Sequence, residues 1–427
     1  MNSNLTFTCD VCEQDTDCRI GYSNREIQPL SFACPHCASL MQITLNIKDA
    51  PASKFEYKGC RPSKSQPEAT FDGTNPFVDL HLDFPVRFGK YVMGHTPYMM
   101  AIKGLRDSSK DGNSDNIGKK IDFNNMRLGQ LNYFYDRTDE IKTIIRLYGG
   151  KNKQLFKKRV GDFLRSDQGS SLKPQDVNAS LYQFVSFVFA PFVHYEEIKD
   201  VVNLFSRLTA KLPQEPLNRF MENIISTGFL YTLQGSCLKL YPEIYSAEMP
   251  MRPVLYLDLI DGYEKAKMAA RISTKDFQTY KDLYKDMVEV FSKQLILVAG
   301  INNIFHRGCS DSFLPLSGKA LSSLDKFGSK PLTEKFKYLD DCWYLLEKEV
   351  VDAGVRNAIA HNNVEYNEVT QEIDYYPGGG NIQPVAGEII YFLDFMRMIL
   401  VLFREVHNLH HLIKCLFYYE YLIRKKE

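Results

Sequence analysis

Two groups of residues have the types and spacing to do chemistry. The first is Cys9-Asp10-Val11-Cys12, followed after 21 intervening residues by Cys34-Pro35-His36-Cys37. Each C-x-x-C pair folds as a knuckle that aims two sulfurs at one point, and two knuckles make a tetrahedral four-thiolate cage for Zn²⁺. With Cys9, Cys12, Cys34 and Cys37 all spent on the ion, no coordination position is left for substrate, so the zinc is structural. Cys18 and His36 are spare. The second group is Arg356-Asn357-Ala358-Ile359-Ala360-His361. An arginine holds a phosphate bidentately and stabilises charge developing on it. A histidine takes or delivers a proton near neutral pH. An asparagine between them orients the imidazole or the phosphate through its amide. Against this stands the plainer reading that Arg356 and Asn357 cap a helix end and His361 is a surface residue.

Other groups are weaker. Lys151, Lys153, Lys157, Lys158 and Arg159 form a basic cluster able to meet nucleic-acid phosphates, although a solvated helix face has the same composition. His407, His410 and His411 have helical spacings that suit a metal face, but no nearby acid completes a site, so they read as partly solvated. His306, Arg307 and Cys309 read as a loop. The chain has no G-x-x-x-x-G-K-[ST] loop, no G-x-S-x-G elbow and no H-E-x-x-H, so ATPase, serine-hydrolase and zinc-protease chemistry have no support.

The elements that must position these residues follow from periodicity. Residues 5–8 and 41–47 alternate like strands around the knuckles, giving a small β zinc ribbon over 1–50. A module of this size buries little core, so metal supplies folding energy on the order of 10 kcal/mol. Residues 51–122 read as a linker with one strand at 77–86 and a mobile loop at 106–120. A helical middle domain spans 123–236, with helices at 124–147, 154–164, 176–189, 196–212 and 216–226. Residues 237–427 form a further helical domain. It contains a strand at 254–259, helices at 274–305 and 333–361, an extended excursion at 364–380 and a last helix at 388–421. Asn362 and Asn363 suit the C-cap of the helix that carries Arg356. Arg356 and His361 are five apart and diverge by about 140° on a straight helix, whereas Asn357 and His361 share a face. A second copy of the helix across a two-fold axis would bring the arginine and the histidine together.

In this context Arg356-Asn357-x-x-x-His361 resembles the RxxxxH signature of the HEPN superfamily, over roughly residues 272–427. The hairpin and final helix after it are also similar to HEPN domains of prokaryotic antiphage and toxin systems. The resemblance implies a mainly α fold: a C-terminal HEPN-like helical bundle with a β-hairpin excursion, after a helical middle region and the N-terminal ribbon. It also implies a metal-independent endoribonuclease working as a homodimer, with Arg356, Asn357 and His361 at a composite site. The expected biology is abortive-infection defence, released by a phage-derived or protein trigger. The alternative is a non-catalytic regulator that binds nucleic acid or protein.

Composition sets the remaining bounds. The chain has 427 residues, 44% hydrophobic and 24% charged, with 52 basic and 52 acidic side chains. It buries real cores, and its balanced charge gives no global argument for nucleic acid. The first residues lack a basic-then-apolar signal pattern, and the apolar run 389–403 is interrupted by Asp394 and Arg397; it is short of the ~20 residues that span a bilayer. The expectation is a cytoplasmic protein without a membrane partner, whose ten cysteines are thiols or metal ligands.

Overall fold

The computed structural model describes residues 1–48, 53–108, 114–260, 270–274, 277–316, 318, 320–346, 351–376 and 387–424. In chain order the strands β1 (Asn2–Cys9), β2 (Asp15–Gly21), β3 (Ile27–Ala33), β4 (Leu40–Asn46), β5 (Lys54–Lys58), β6 (Cys60–Pro62), β7 (Phe77–Leu80) and β8 (Val86–Arg87) come first. Helices α1 (Pro97–Ser108), α2 (Ser114–Tyr135), α3 (Thr138–Gly149), α4 (Lys153–Leu164), α5 (Pro174–Val188), α6 (Tyr195–Thr209), α7 (Gln214–Ser226), α8 (Phe229–Ser246) and α9 (Glu248–Leu257) follow. Then come β9 (Ala270–Arg271), α10 (Lys281–Arg307), α11 (Leu324–Gly328), α12 (Leu332–Lys335), α13 (Ala353–Ala360), β10 (Val364–Tyr366), β11 (Glu372–Tyr375), β12 (Glu388–Tyr391) and α14 (Phe392–Tyr418). The protein is mainly helical, with a small N-terminal β region that carries the clustered cysteines. It divides into two compact units, each drawn from several stretches: 1–136, 246–282 and 354–400 in the first, and 137–245, 283–353 and 401–427 in the second.

In the first unit, β6-β1-β2-β7 form one sheet and β3-β4-β5 another. β4 shows why: Met41, Ile43 and Leu45 are buried, while Gln42, Thr44 and Asn46 alternate outward, the period-2 pattern of a half-buried strand. Phe7, Ile20, Leu30, Phe32 and Leu80 complete one core. That core draws on residues beyond 50, so the N-terminal β region extends past the boundary expected at 50. Residues 54–62, expected as linker, are strands: Ile43 pairs with Tyr57 and Phe7 with Pro62. Both lie at sheet edges, where one face of hydrogen bonds is unpaired and polar residues and proline are tolerated; composition alone reads such a strand as a loop. The expected strand at 77–86 is split, with β7 running parallel to β2 and β8 pairing β9. At Gly21 a Cβ would stand 2.3 Å from the His81 ring, so this close approach requires glycine.

The Ser/Asp/Lys-rich stretch expected as a mobile loop is the end of α1 and the start of α2 in its described part. Its polar composition reflects a helix with little buried surface. Residues 254–259, expected as a strand, lie largely in α9, whose residues 250–257 are all buried. A short apolar run without a solvent face has no periodicity to separate helix from strand. Arg252 of this helix is fully buried. Its Nε donates to Asp83 Oδ1 at 2.6 Å and its Nη1 to Glu248 Oε1 at 2.6 Å, and Arg25 Nη1 reaches Glu248 Oε2 at 3.4 Å. Two buried cations thus meet two buried carboxylates, the pairing that makes buried charge tolerable.

The second unit is helical. The single helix expected over 124–147 is broken at residues 136–137, and α8 fills a stretch with no expected element. Phe189, Phe192, Tyr241, Tyr245 and Phe403 pack in its core, with Phe189 stacked on Tyr241, Phe192 edge-to-face on Tyr245 and Phe403 edge-to-face on Tyr241. Gly300 of α10 lies against Phe220, where a Cβ would approach the ring to 2.5 Å. The helix expected over 333–361 is not continuous. α12 gives way to a 3₁₀ turn at Phe336–Tyr338, residues 339–346 are not helical, and among the described residues the next helix is α13 at Ala353; residues 347–350 lie outside the described residues. In the first unit, the excursion after His361 is a three-stranded antiparallel sheet, β10-β11-β12, whose last strand runs directly into α14. Residues 377–386 of that excursion are not among the described residues.

Candidate metal centre and catalytic residues

The knuckles are built alike. In the first, Glu13 N donates to Cys9 O at 3.0 Å and Cys9 N to Gln14 O at 3.0 Å; in the second, Ala38 N donates to Cys34 O at 2.9 Å and Cys34 N to Ser39 O at 2.8 Å. Each turn closes on a residue in the left-handed region, Glu13 at φ 57° and Ala38 at φ 60°. The four sulfurs lie within 4.8 Å of one another, with Cys9–Cys37 at 3.8 Å and Cys12–Cys34 at 3.7 Å. A tetrahedral ion with metal–sulfur bonds of ~2.3 Å needs sulfur–sulfur edges of about 3.8 Å. The donor set fits a metal ion.

The cage is graded in exposure: Cys9 and Cys34 are buried, Cys12 is half-buried and Cys37 is exposed. Cys37 Sγ lies 3.3 Å from Ser39 Oγ. Hydrogen bonding from the Ser39 side chain and backbone pulls the Cys37 thiol down to about 6, whereas burial pushes Cys34 up to about 12. His36 turns its Nε2 to the Asp15 carbonyl at 3.1 Å. Cys18 is packed in the core.

Arg356 and Asn357 are half-buried on α13, and His361 is exposed just past its end. The helix stops in a Schellman turn: Asn362 is left-handed at φ 57°, its N–H bonds to Ile359 O at 3.2 Å, and Asn363 N–H reaches back to Ala358 O at 2.8 Å. Asparagine is the residue besides glycine that takes this conformation readily. His361 therefore sits at the C-cap, with its own N–H still bonded to Asn357 O at 3.0 Å. From there Tyr376 N bonds to Asn363 O at 3.1 Å, and Val364 starts β10 against Tyr375. Tyr366 packs on Phe277 and Phe392, which anchors the strand that leaves the turn. Arg356 Nη1 donates to Asn357 Oδ1 at 3.2 Å. The amide oxygen thus orients the guanidinium rather than the imidazole. The His361 ring has no hydrogen-bond partner among the described residues.

The basic cluster is not one free patch. Lys157 is buried and donates to Ser171 O at 2.8 Å; Lys153 donates to Tyr148 O and lies over the Tyr148 ring. Lys151, Lys158 and Arg159 are exposed. His306, Arg307 and Cys309 mark the end of α10 and the turn after it, where Arg307 forms an ion pair with Asp340 at 2.7 Å and His306 Nε2 meets Asp341 O at 3.1 Å.

The three histidines of α14 differ most from expectation. His407, His410 and His411 are buried, not partly solvated. Tyr241 Oη lies 2.9 Å from His407 Nδ1 and 2.7 Å from His410 Nδ1, and His407 Nε2 lies 3.2 Å from His411 Nε2. One hydroxyl proton serves two imidazoles, so Tyr241 donates to one ring and accepts from the other. Either direction leaves His410 Nε2 and His411 Nδ1 buried without a partner. Burial holds His407 down to about 3, and the other two well below the usual imidazole range. The cluster has no metal-binding geometry: among the described residues only the four cysteines bring three or more ligands together. Its sequence signal is the apolar setting of the histidines, with Leu409, Leu412 and Ile413 interleaved.

Comparison with protein-family models, with curated proteins and with solved structures finds no match to this chain.

Proposed function

We propose that this protein is a metal-independent endoribonuclease of the HEPN type, acting as a homodimer. The observation that carries the reading is the end of α13. Arg356 donates to Asn357, and five residues after Arg356 His361 stands solvent-facing at a Schellman turn. Arg356 grips the scissile phosphate. His361 removes the 2′-OH proton, and the 2′ oxygen attacks phosphorus. The P–O5′ bond breaks as the histidine of the second protomer delivers a proton to the departing oxygen. The products are a 2′,3′-cyclic phosphate and a 5′-hydroxyl. The guanidinium offsets the charge that builds on the non-bridging oxygens.

Zn²⁺ is the ion we assign to Cys9, Cys12, Cys34 and Cys37. Four thiolates at tetrahedral edge lengths are its usual structural set. It holds the knuckles and takes no part in cleavage. The biological setting we propose is cytoplasmic antiphage defence by abortive infection, with cleavage withheld until a phage-derived or protein trigger arrives. Expression of wild type, Arg356→Ala and His361→Ala tests the assignment: wild type arrests growth and degrades RNA, and both variants, folded and still dimeric, do neither. The competing reading is a non-catalytic regulator that binds nucleic acid through the exposed Lys151, Lys158 and Arg159. It predicts RNA affinity that falls steeply with salt and no cleavage.

A further inference from the structure

The second unit contains a cleft of about 840 Å³ between α3, the start of α4, the start of α5 and α8, with Tyr421, just after α14, as one wall. Its size is that of a small-molecule site. Its walls are of two kinds. Ile145, Leu172, Val177 and Leu238 give an apolar body, and Tyr148, Tyr231 and Tyr421 add aromatic faces. Four cations, Lys142, Arg146, Lys153 and Lys239, line it, and none of its lining residues is acidic. Lys142, Arg146 and Lys239 are exposed. In a chain of balanced charge, an acid-free ring of four cations is a local field that selects an anion.

The floor selects further. Gln234 is buried; its Oε1 accepts from Tyr148 Oη at 2.9 Å, and its Nε2 lies 3.3 Å from both Asn178 Oδ1 and Tyr182 Oη. Its polar atoms are satisfied within the protein, so the ligand body is met by surfaces rather than by a pattern of donors and acceptors. The Tyr231 and Tyr421 hydroxyls stand 3.3 Å apart, and Phe417 backs both rings. Phe417 lies nearly parallel to Tyr421 and is tilted against Tyr231, so the two tyrosines line the cleft as inclined aromatic rings. A flat body against aromatic faces, joined to a group that carries more than one negative charge, is the chemistry of a nucleoside phosphate: ring stacking is tolerant of base identity, and lysine and arginine recognise phosphate.

We propose that this cleft binds a free nucleotide, with its base against the tyrosines and its phosphates at Arg146, Lys142 and Lys239. The site lies wholly within the second unit, whereas Arg356 and His361 belong to the first. The proposal stands independently of the ribonuclease reading.

The test is calorimetric titration of the full-length protein with ATP, adenosine, palmitate and a ten-nucleotide 2′-deoxy strand that a 2′-OH-dependent nuclease cannot cut. Saturable one-to-one binding of ATP is expected, weakening as salt rises. Adenosine should bind roughly tenfold or more weakly than ATP, for want of charge-assisted contacts. Arg146→Ala combined with Lys239→Ala should weaken ATP roughly tenfold or more. Tyr231→Ala should weaken ATP and adenosine alike. All three positions are exposed, and a thermal melt of each variant that matches wild type establishes that it is folded. The proposal is overturned by no ATP binding, by ATP affinity indifferent to these variants, by palmitate binding in place of ATP, or by binding of the strand alone.

Discussion

Asn357 accepts a hydrogen bond from the guanidinium of the residue just before it: Arg356 Nη1 stands 3.2 Å from Asn357 Oδ1. The bond ties the amide oxygen to the guanidinium, and the His361 imidazole, at the Schellman turn, takes no part in it. If the proposed ribonuclease site is active, Asn357 serves it as a positioning residue. Asn357→Ala should lower kcat/KM for RNA roughly five- to tenfold, as the loss of a single hydrogen bond of about 1 kcal/mol predicts. Arg356→Lys, which keeps the charge and loses the planar fork, should cost more. Steady-state cleavage of a short RNA measures both; an Asn357→Ala enzyme at wild-type rate would show that the bond is idle.

The Schellman turn makes a second prediction. Asn362→Gly keeps the left-handed conformation and should be tolerated. Asn362→Val, β-branched at φ 57°, should cost on the order of 1–2 kcal/mol and displace His361. Cleavage rate and thermal stability should fall together in the valine variant only.

Glu13 and Ala38 occupy the left-handed position of each knuckle. Either residue changed to glycine should stabilise the metal-loaded protein by roughly 0.5–1 kcal/mol, because glycine takes this conformation without a Cβ penalty. A rise in melting temperature, or slower metal transfer to a chelator, measures it. Metal retention should also depend on pH in a defined direction. Ligation needs all four thiolates, so binding releases protons and weakens as pH falls. Hydrogen bonding from Ser39 favours the Cys37 thiolate, while burial favours the protonated form of Cys34. Metal affinity should therefore climb from pH 6 to pH 8. Flat retention over that range would contradict four-thiolate ligation.

The histidines of α14 set the acid limit of the second unit. Burial lowers His407 in the folded protein to about 3, from an ordinary 6.5. The unfolded chain therefore binds more protons than the folded one below pH 6.5, and stability is lost as pH falls through that value. His410 and His411 shift in the same direction. Each contributes a slope of up to about 1.4 kcal/mol per pH unit, so three together should produce acid unfolding between pH 6 and pH 4. Tyr241→Phe leaves two further imidazole nitrogens unpaired and should cost roughly 2–3 kcal/mol at pH 7. Denaturant melts across this pH range check both.

What the sequence disclosed and what it hid have physical causes. The cysteine cage was readable because four thiols at two fixed spacings have few other uses, and the amphipathic helices α4 to α7 were readable because each has one wet face. Helix α9 was misread as a strand because it is buried on all sides. The edge strands β5 and β6 looked like linker because an edge tolerates polar residues and proline. His407, His410 and His411 were expected in water because histidine is usually half-solvated, and only the packed chain shows Tyr241 between them. The break between α12 and α13 was hidden too: apolar residues such as Leu339, Trp343 and Leu346 keep helical spacing while the chain turns. Arg356, Asn357 and His361 are candidates singled out by spacing and resemblance; the Arg356–Asn357 bond required coordinates.

The ribonuclease assignment is tested most directly by one cleavage experiment in excess EDTA, under conditions where circular dichroism shows the fold intact. Purified wild type and His361→Ala are each given an all-ribose strand and the same strand with every 2′-OH replaced by hydrogen. Wild type should cut only the ribose strand, leaving 2′,3′-cyclic phosphate and 5′-hydroxyl ends, and His361→Ala should cut neither. Cleavage of the deoxy strand, or cleavage of the ribose strand by His361→Ala at the wild-type rate, would contradict the account.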